Sequence, residues 1–226
     1  MKRLAALFLF LGLSAASLCA GAYPVRAQSF PQEPENHTLV VERLMRYHDY
    51  GEYDREIQVV ADSAREYLAG VVKAAPKDDK LAAVFDIDET SLSNWDAMAG
   101  CGFCAYSVER KLYTEDHDPA IGPVLRLYNF AKANGVKVFF VTGRQESERA
   151  ATIKNLNEAG YSGWSELIMQ PDGNKLPAGV FKPKDRQAIV DEGYRIVLNI
   201  GDQASDLAGC CSERVFKIPN PFYLLK

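Results

Sequence analysis

Short apolar runs and longer amphipathic segments alternate along this chain. The apolar run LAAVF at 81–85 leads directly into the polar sequence DIDET at 86–90. A run of this length that ends in a β-branched and an aromatic residue is typical of a strand buried on both faces of a parallel sheet. Similar runs predict further strands at 136–141, 166–170, 196–200 and 214–218.

The segments between these runs have apolar residues at spacings of three and four, which is the period of a helix packed on one side. The longest begins after Gly51 and extends to about Ala75, and other helices are predicted at 38–48, 123–134, 146–159 and 184–192. Strands that alternate with helices predict an α/β fold, a doubly wound and mainly parallel sheet with right-handed crossovers. Two helices precede the first strand, and a small inserted segment, 91–119, follows it.

The first 27 residues differ from the rest of the chain. Lys2 and Arg3 precede an almost wholly apolar stretch, which is followed by small residues around Ala20, Ala22 and Ala27. This order is typical of a secretory signal peptide, and the stretch is shorter than the roughly 20 residues of a membrane span. We therefore expect a signal peptide at 1–27, a single domain at 28–226, and an exported protein, periplasmic or secreted, with no membrane association after cleavage.

Composition and charge exclude some classes of partner. The chain has 226 residues, of which 47% are hydrophobic and 25% charged, as in an ordinary globular protein. Cleavage of the leader would remove Lys2, Arg3 and Arg26, so that 23 basic residues would face 30 acidic ones and the net charge would move from −4 to −7. Such an acidic protein is not expected to bind nucleic acid.

Four cysteines follow the leader in two close pairs, Cys101 with Cys104 and Cys210 with Cys211. An exported protein meets an oxidising compartment, so one or two disulfides are expected, with their pairing left open. A zinc site is the alternative, and we favour it less because adjacent cysteines are poor tetrahedral partners.

Asp86 and Asp88 follow the first predicted strand. The carboxyl ends of parallel strands form the ligand-binding edge of an open α/β sheet, so both residues lie where chemistry is expected. Residues two apart in an extended backbone point to the same side, which brings the two carboxylates together. Like charges at that distance need a shared proton or a cation.

Other polar groups follow neighbouring strands: the Thr142-Gly143-Arg144 sequence, Lys182 in a predicted loop, and Asp202 with Asp206. Together with Asp86 and Asp88 they are the parts that phosphoryl transfer needs. Magnesium takes oxygen ligands, which the two strand-end carboxylates Asp86 and Asp202 can supply. Asp86 can attack phosphorus, Asp88 can carry the proton, and Lys182 and Thr142 can hold phosphoryl oxygens.

Four motifs in this order resemble those of the haloacid dehalogenase-like superfamily. They are DIDET at 86–90, TGR at 142–144, FKP at 181–183 and GDQASDL at 201–207. More narrowly, the chain resembles the secreted acid phosphatase branch, which includes class B bacterial acid phosphatases and plant vegetative storage proteins. Further likenesses, among them KIPNP at 217–221, extend the resemblance over about 46–223. The segment after Thr90 departs from these relatives, and FKP lacks the hydroxyl of their commoner lysine-serine pair.

The resemblance implies a role for each matching residue. Asp86 would be the nucleophile and a magnesium ligand, and Asp88 the acid and base whose backbone carbonyl also binds the metal. Asp202 would be the remaining carboxylate ligand, while Asp206 would orient the metal's waters. Thr142, Gly143, Arg144 and Lys182 would bind the phosphoryl group.

The leading interpretation is thus an exported, Mg²⁺-dependent acid phosphatase that hydrolyses small phosphate esters, nucleotides among the candidates. A phosphotransferase to alcohol acceptors and a non-catalytic storage or binding protein on the same fold are the alternatives. A DxD glycosyltransferase is less favoured, because the chain is short and has no second nucleotide-binding element. Trp95 and Phe103 in the inserted segment are candidates for stacking on a substrate ring. Assembly of identical chains is left open.

Overall fold

The computed structural model describes residues 34–104 and 118–225. Residues Asn36–Lys226 form one compact unit. The predicted signal peptide and the central part of the inserted segment, 105–117, lie outside the described residues. Within the described ranges, no helix is long and apolar enough to cross a membrane.

A five-stranded sheet forms the centre of this unit. The strands are β1 (Leu81–Phe85), β2 (Lys137–Gln145), β3 (Glu166–Gln170), β4 (Arg195–Gly201) and β5 (Val215–Lys217). Their order is β3-β2-β1-β4-β5, and every neighbouring pair is parallel. The strand that leads into DIDET is therefore central, with β2 and β4 on either side of it. This arrangement confirms the predicted α/β fold with a parallel, doubly wound sheet.

Helices connect the strands and cover the sheet. Two of them, α1 (His37–Asp49) and α2 (Glu52–Ala74), precede β1, and a short α3 (Trp95–Gly100) lies in the inserted segment. The other α-helices of the described residues are α4 (Gly122–Ala133), α5 (Arg149–Glu158), α6 (Ala178–Asp191) and the short α7 (Ala204–Leu207). A 3₁₀ turn, Glu146–Glu148, precedes α5.

The sheet is buried on both faces, as the apolar strand sequences predict. In β1, Ala83 and Phe85 contribute to the larger core, which includes residues of α2 and α4. The alternate residues Ala82 and Val84 join a smaller core with Ile189 of α6. Because successive side chains point to opposite faces of a strand, one apolar run supplies both cores.

Two elements differ from their predicted bounds by four residues or more. β2 continues past Val141 to Gln145, because Gln145 pairs with Gln170 of β3 after a shift in register. α6 begins at Ala178, six residues before the predicted start, so the prediction that Lys182 lies in a loop was wrong. The prediction failed at Pro183, since proline lacks the N–H of a helix interior. Here Pro183 lies inside the helix, where it removes one backbone hydrogen bond.

Each close pair of cysteines forms its own disulfide. Cys101 is bonded to Cys104 at the end of α3, and Cys210 is bonded to its neighbour Cys211 after α7. In this bonded form the four sulfurs are not available as thiolate ligands for zinc.

Candidate active site

Three buried carboxylates meet at the carboxyl edge of the sheet. Asp86 follows β1, Asp202 follows β4, and Asp206 lies in α7, with ligand oxygens all within 4.8 Å of one another. The ammonium of Lys182 lies between two of them, 2.6 Å from Asp86 Oδ1 and 2.7 Å from Asp206 Oδ1. Three carboxylates against a single lysine leave excess negative charge, and the three aspartates could therefore hold a metal ion.

Burial dominates the electrostatics of this cluster. Removal from water raises the pKa of Asp86 above its ordinary value, although Lys182 opposes this, and it raises the pKa of Asp202 in the same direction. Burial alone would lower the pKa of Lys182, but Asp206 and Asp86 raise it above its usual value. The lysine is therefore a permanent cation, and the carboxylates require a further positive charge to remain ionised together.

Hydrogen bonds fix the orientation of the carboxylates. The hydroxyl of Thr90 donates to Asp86 Oδ2 at 3.0 Å and lies 3.4 Å from Asp202 Oδ1. The side-chain amides of Gln203 and Asn220 each donate to Asp202 Oδ2 at 2.6 Å. Asn220 comes from the chain beyond β5, so a distant segment sets the position of a candidate metal ligand.

Asp88 points to a different set of partners. Its carboxylate is paired with Arg144, whose Nη2 lies 2.7 Å from Asp88 Oδ1, and it also accepts a hydrogen bond from Asn94 Nδ2 at 3.2 Å. The side chain of Asp88 is thus not part of the three-carboxylate cluster, to which Asp206 belongs instead. The two aspartates of the DxD sequence therefore have different surroundings, one beside a lysine and one beside an arginine.

Thr142 and Gly143 lie where β2 passes the site. Thr142 is fully buried, and its Oγ1 accepts a hydrogen bond of 3.1 Å from the backbone N–H of Arg144. A Cβ placed on Gly143 would have no atom within 4 Å, so the backbone there borders open space. Open space beside a strand end is where a ligand of this sheet edge would lie.

An aromatic cluster joins the inserted segment to the N-terminal helices and the C-terminal chain. Trp95 is stacked on His48 with ring centroids 3.6 Å apart, and Phe103 is stacked on Phe222 at 5.7 Å. Trp95 also lies 5.2 Å from Phe222. One face of Trp95 is therefore already covered by protein, and the role of Trp95 and Phe103 in substrate stacking stays a prediction.

Known proteins similar to this chain are acid phosphatases and their relatives. The family profile described as "HAD superfamily, subfamily IIIB (Acid phosphatase)" matches residues 14–226, which is nearly the whole chain. The chain belongs to HAD subfamily IIIB. As a member of the acid phosphatases, it is a phosphomonoester hydrolase.

Relatives of this subfamily IIIB chain include enzymes and storage proteins. It is 40% identical over 179 residues to "Acid phosphatase 1" of Solanum lycopersicum, covering 76% of this chain and 69% of that protein. It is 32% identical over 200 residues to "Vegetative storage protein 1" of Arabidopsis thaliana, covering 86% and 73%. The resemblance stated from the motifs is confirmed by these matches.

Among solved structures, the class C acid phosphatase from Bacillus anthracis superimposes with a TM-score of 0.66 at 21% identity. The match covers 82% of this subfamily IIIB chain and 86% of that one. At this level of identity the likeness supports the fold alone.

Sequence reasoning did not assign several residues that shape the site. Thr90 lies inside the DIDET motif, and Asn220 lies inside KIPNP, so both were visible without a role. Gln203 lies inside GDQASDL and was likewise visible without a role, whereas nothing in the local pattern of Asn94 distinguishes it from a surface amide. Their functions depend on which chain segments meet in three dimensions.

Proposed function

We propose that this acid phosphatase is exported, depends on Mg²⁺, and hydrolyses small phosphomonoesters through an aspartyl-phosphate on Asp86. The observation that carries the proposal is the pairing of Asp86 with Lys182 inside a buried group of three carboxylates. This arrangement supplies a fixed nucleophile, a cation for the phosphoryl oxygens and an oxygen-rich position for a metal.

The donor set fits magnesium. Asp86 and Asp202 offer hard carboxylate oxygens, and the backbone carbonyl of Asp88 is the third protein ligand that we assign. Asp206, already held by Lys182 at 2.7 Å, would orient water in the outer shell. A Mg²⁺ ion bound there would offset the repulsion between the Asp86 carboxylate and the phosphate dianion of the substrate.

The carboxylate of Asp86 attacks phosphorus in line, forming an O–P bond to the enzyme as the ester O–P bond breaks. Asp88 donates its proton to the departing alkoxide, so the leaving group is released as an alcohol. Asp88 then takes a proton from water, whose oxygen displaces Asp86 from phosphorus and releases inorganic phosphate. Atoms and charges balance, and both aspartates return to their initial states.

Three groups are assigned to the phosphoryl oxygens. Lys182 is a permanent cation beside the attacking carboxylate, and the buried hydroxyl of Thr142 lies on the neighbouring strand. Gly143 leaves room for a phosphoryl group to approach the backbone. Donors held in place before reaction stabilise the developing charge without reorganisation.

The Asp86→Asn variant tests the nucleophile. It should lose hydrolysis of 4-nitrophenyl phosphate by at least about a thousandfold, since a covalent route is removed. Rapid quenching with a ³²P-labelled ester should trap protein-bound phosphate in the parent protein and none in the variant. Asp62→Asn, an exposed aspartate on α2, is the matched control and should keep full activity. Substantial residual activity in Asp86→Asn would remove the assignment.

Metal dependence is tested by EDTA treatment followed by addition of Mg²⁺. Activity should disappear and return, whereas activity that persists after chelation would exclude the metal.

The vegetative storage protein relatives favour one competing interpretation, a storage protein on the same fold. That interpretation predicts no turnover of any phosphate ester under either condition. A phosphotransferase would instead yield a new ester when an alcohol such as a nucleoside is added.

Export rests on the leader-like segment at 1–27, with the single domain beginning at residue 28. Mass spectrometry of the mature protein should give an N-terminus just after Ala20, Ala22 or Ala27. A mature chain that retains Met1 would exclude cleavage.

A further inference from the structure

Arg144 and Asn94 hold one oxygen of the Asp88 carboxylate. Arg144 donates to Asp88 Oδ1 through Nε at 3.0 Å and Nη2 at 2.7 Å, and Asn94 Nδ2 adds a third contact at 3.2 Å. Only the longest contact from these two residues, 3.3 Å from Arg144 Nε, reaches Oδ2. Arg144 and Asn94 thus hold the Asp88 carboxylate mainly through Oδ1.

The guanidinium of Arg144 is itself held on its other edges. Its Nη2 lies 3.4 Å from Asp118 Oδ2, and its Nη1 lies 3.4 Å from the hydroxyl of Thr152 on α5. The side chain is only 11% exposed. Burial alone would lower the pKa of Arg144, but Asp88 and Asp118 raise it, so the group stays charged. Two further segments thus fix the guanidinium plane that faces Asp88.

Asn94 is fixed as firmly. It is fully buried before α3, and its backbone N–H donates to Glu89 Oε1 at 2.5 Å. The acidic partner at Asp88 selects the amide orientation with Nδ2 toward the carboxylate. Asn94 Oδ1 then has no hydrogen-bond partner within residues 34–104 and 118–225. A buried acceptor without a partner next to a proton carrier suits a transient donor such as water or an alcohol.

We propose that Arg144 is a positioning residue, which with Asn94 fixes the orientation in which the Asp88 carboxylate faces the leaving group. This inference rests on the proposed phosphatase function and gives Arg144 a role different from the phosphate binding that the motif suggested. The reason is geometric, because each nitrogen of the guanidinium already donates to protein groups.

The two roles predict different responses to the leaving group. If Arg144 acts through Asp88, its loss matters most for esters whose alkoxide needs a proton, and little for 4-nitrophenolate, which leaves without one. If Arg144 binds phosphate, every ester should suffer equally and inorganic phosphate should inhibit less strongly. The ratio kcat/KM covers every step from substrate binding up to and including the first irreversible one. Here that step is the departure of the leaving group, so kcat/KM reports on it.

The experiment measures kcat/KM for 4-nitrophenyl phosphate and phenyl phosphate in Arg144→Gln, Arg144→Lys and Asn94→Ala. In Arg144→Gln, we expect the loss on phenyl phosphate to exceed the loss on 4-nitrophenyl phosphate by about tenfold or more. Arg144→Lys keeps the charge without the paired donors and should show the same trend more weakly. The inhibition constant of inorganic phosphate should stay within about twofold of the parent value if Arg144 does not bind phosphate.

A double-mutant cycle with Asp88→Asn separates positioning from a general effect on the fold. In the Asp88→Asn background the side chain at position 88 can no longer transfer a proton. Adding Arg144→Gln there should cause no further selective loss on phenyl phosphate. Arg149→Gln is the matched control: this arginine is near Arg144 in sequence, but it pairs with Glu146 and should not change the leaving-group dependence. Thermal melting of each variant reports whether it is folded, and Asn94→Ala tests the same idea without removing a charge.

Equal losses on both esters in Arg144→Gln and Asn94→Ala would overturn the proposal. A weaker inhibition by inorganic phosphate would do the same and would return Arg144 to the phosphate-binding role. Failure of the proposed function itself is distinguishable, because the parent protein would then hydrolyse neither ester.

Discussion

The hydroxyl of Tyr53 donates a 2.6 Å hydrogen bond to Oε2 of Glu89, the residue between Asp88 and Thr90. Glu89 is fully buried and has a positive φ of 49°, a conformation that is uncommon for residues other than glycine. Its other oxygen accepts the backbone N–H of Asn94. A helix that precedes the sheet thus holds the turn that follows β1, and the positions of Asp86 and Asp88 depend on that turn.

Removal of the Tyr53 hydroxyl should loosen this turn. Tyr53→Phe leaves a buried carboxylate without one of its donors, which should cost about 1–3 kcal/mol of unfolding free energy. We expect a lower melting temperature and a lower kcat, measured by denaturant unfolding and steady-state kinetics. Tyr50→Phe, at a tyrosine that is 70% exposed, should change neither. A Tyr53→Phe protein as stable and active as the parent would show that the hydrogen bond is dispensable.

Loss of the Lys182 cation should affect both folding and chemistry. Lys182→Met removes the partner of two buried carboxylates, Asp86 and Asp206, which should cost about 3–5 kcal/mol of unfolding free energy. Activity should fall with it, because the phosphoryl group loses a cation. Lys184→Met, an exposed lysine two residues further along α6, is the control and should resemble the parent. If Lys182→Met retained parental kcat, the lysine would not contact the reacting group.

Gly201 leaves space that Asp206 requires. A Cβ at this position would lie 2.6 Å from the Asp206 Cβ, closer than real contacts allow. Gly201→Ala should therefore displace Asp206, reduce kcat and weaken activation by Mg²⁺, as a Mg²⁺ titration of activity would measure. Gly179→Ala is the matched change, since the nearest atom is an ordinary 3.8 Å away and alanine favours the helix. Unchanged Mg²⁺ activation in Gly201→Ala would show that Asp206 does not act on the metal.

Metal binding should stabilise the fold more at high pH than at low pH. Because burial raises the pKa of Asp86 to about 7, the metal-free folded state keeps protons that the unfolded chain releases near its ordinary pKa of about 3.9. The contribution of Asp86 to the stability of the metal-free protein is thus fully present below that ordinary pKa and is lost as the pH rises through the raised pKa of the folded state. Magnesium competes with protons for the same oxygens and should offset the loss.

Melting temperatures with EDTA or Mg²⁺ at about pH 5 and pH 8, on either side of the raised pKa, measure this effect. The increase caused by Mg²⁺ should be larger at the higher pH and should be absent in Asp202→Asn. An equal increase at both values would mean that the metal binds elsewhere.

Much of the architecture could be predicted from local patterns. An apolar run of five residues is sufficient to predict a strand buried on both faces, and polar groups just after such a run lie at the sheet edge where ligands bind. The sequence alone was therefore sufficient to place Asp86 and Asp202 near each other. It was not sufficient for the bounds of α6, because a proline usually marks a helix start and Pro183 lies inside this one.

The sequence by itself determined the parallel α/β fold, the strand that leads into DIDET and the residue types at its carboxyl end, because hydrophobic period and motif order are local properties. Only the tertiary structure decided the partners of each carboxylate. Lys182 joins Asp86 to Asp206, Arg144 turns Asp88 away from them, and Asn220 reaches Asp202 from beyond β5. These contacts span up to about a hundred residues of chain, and no local pattern encodes which distant side chains will share one buried space.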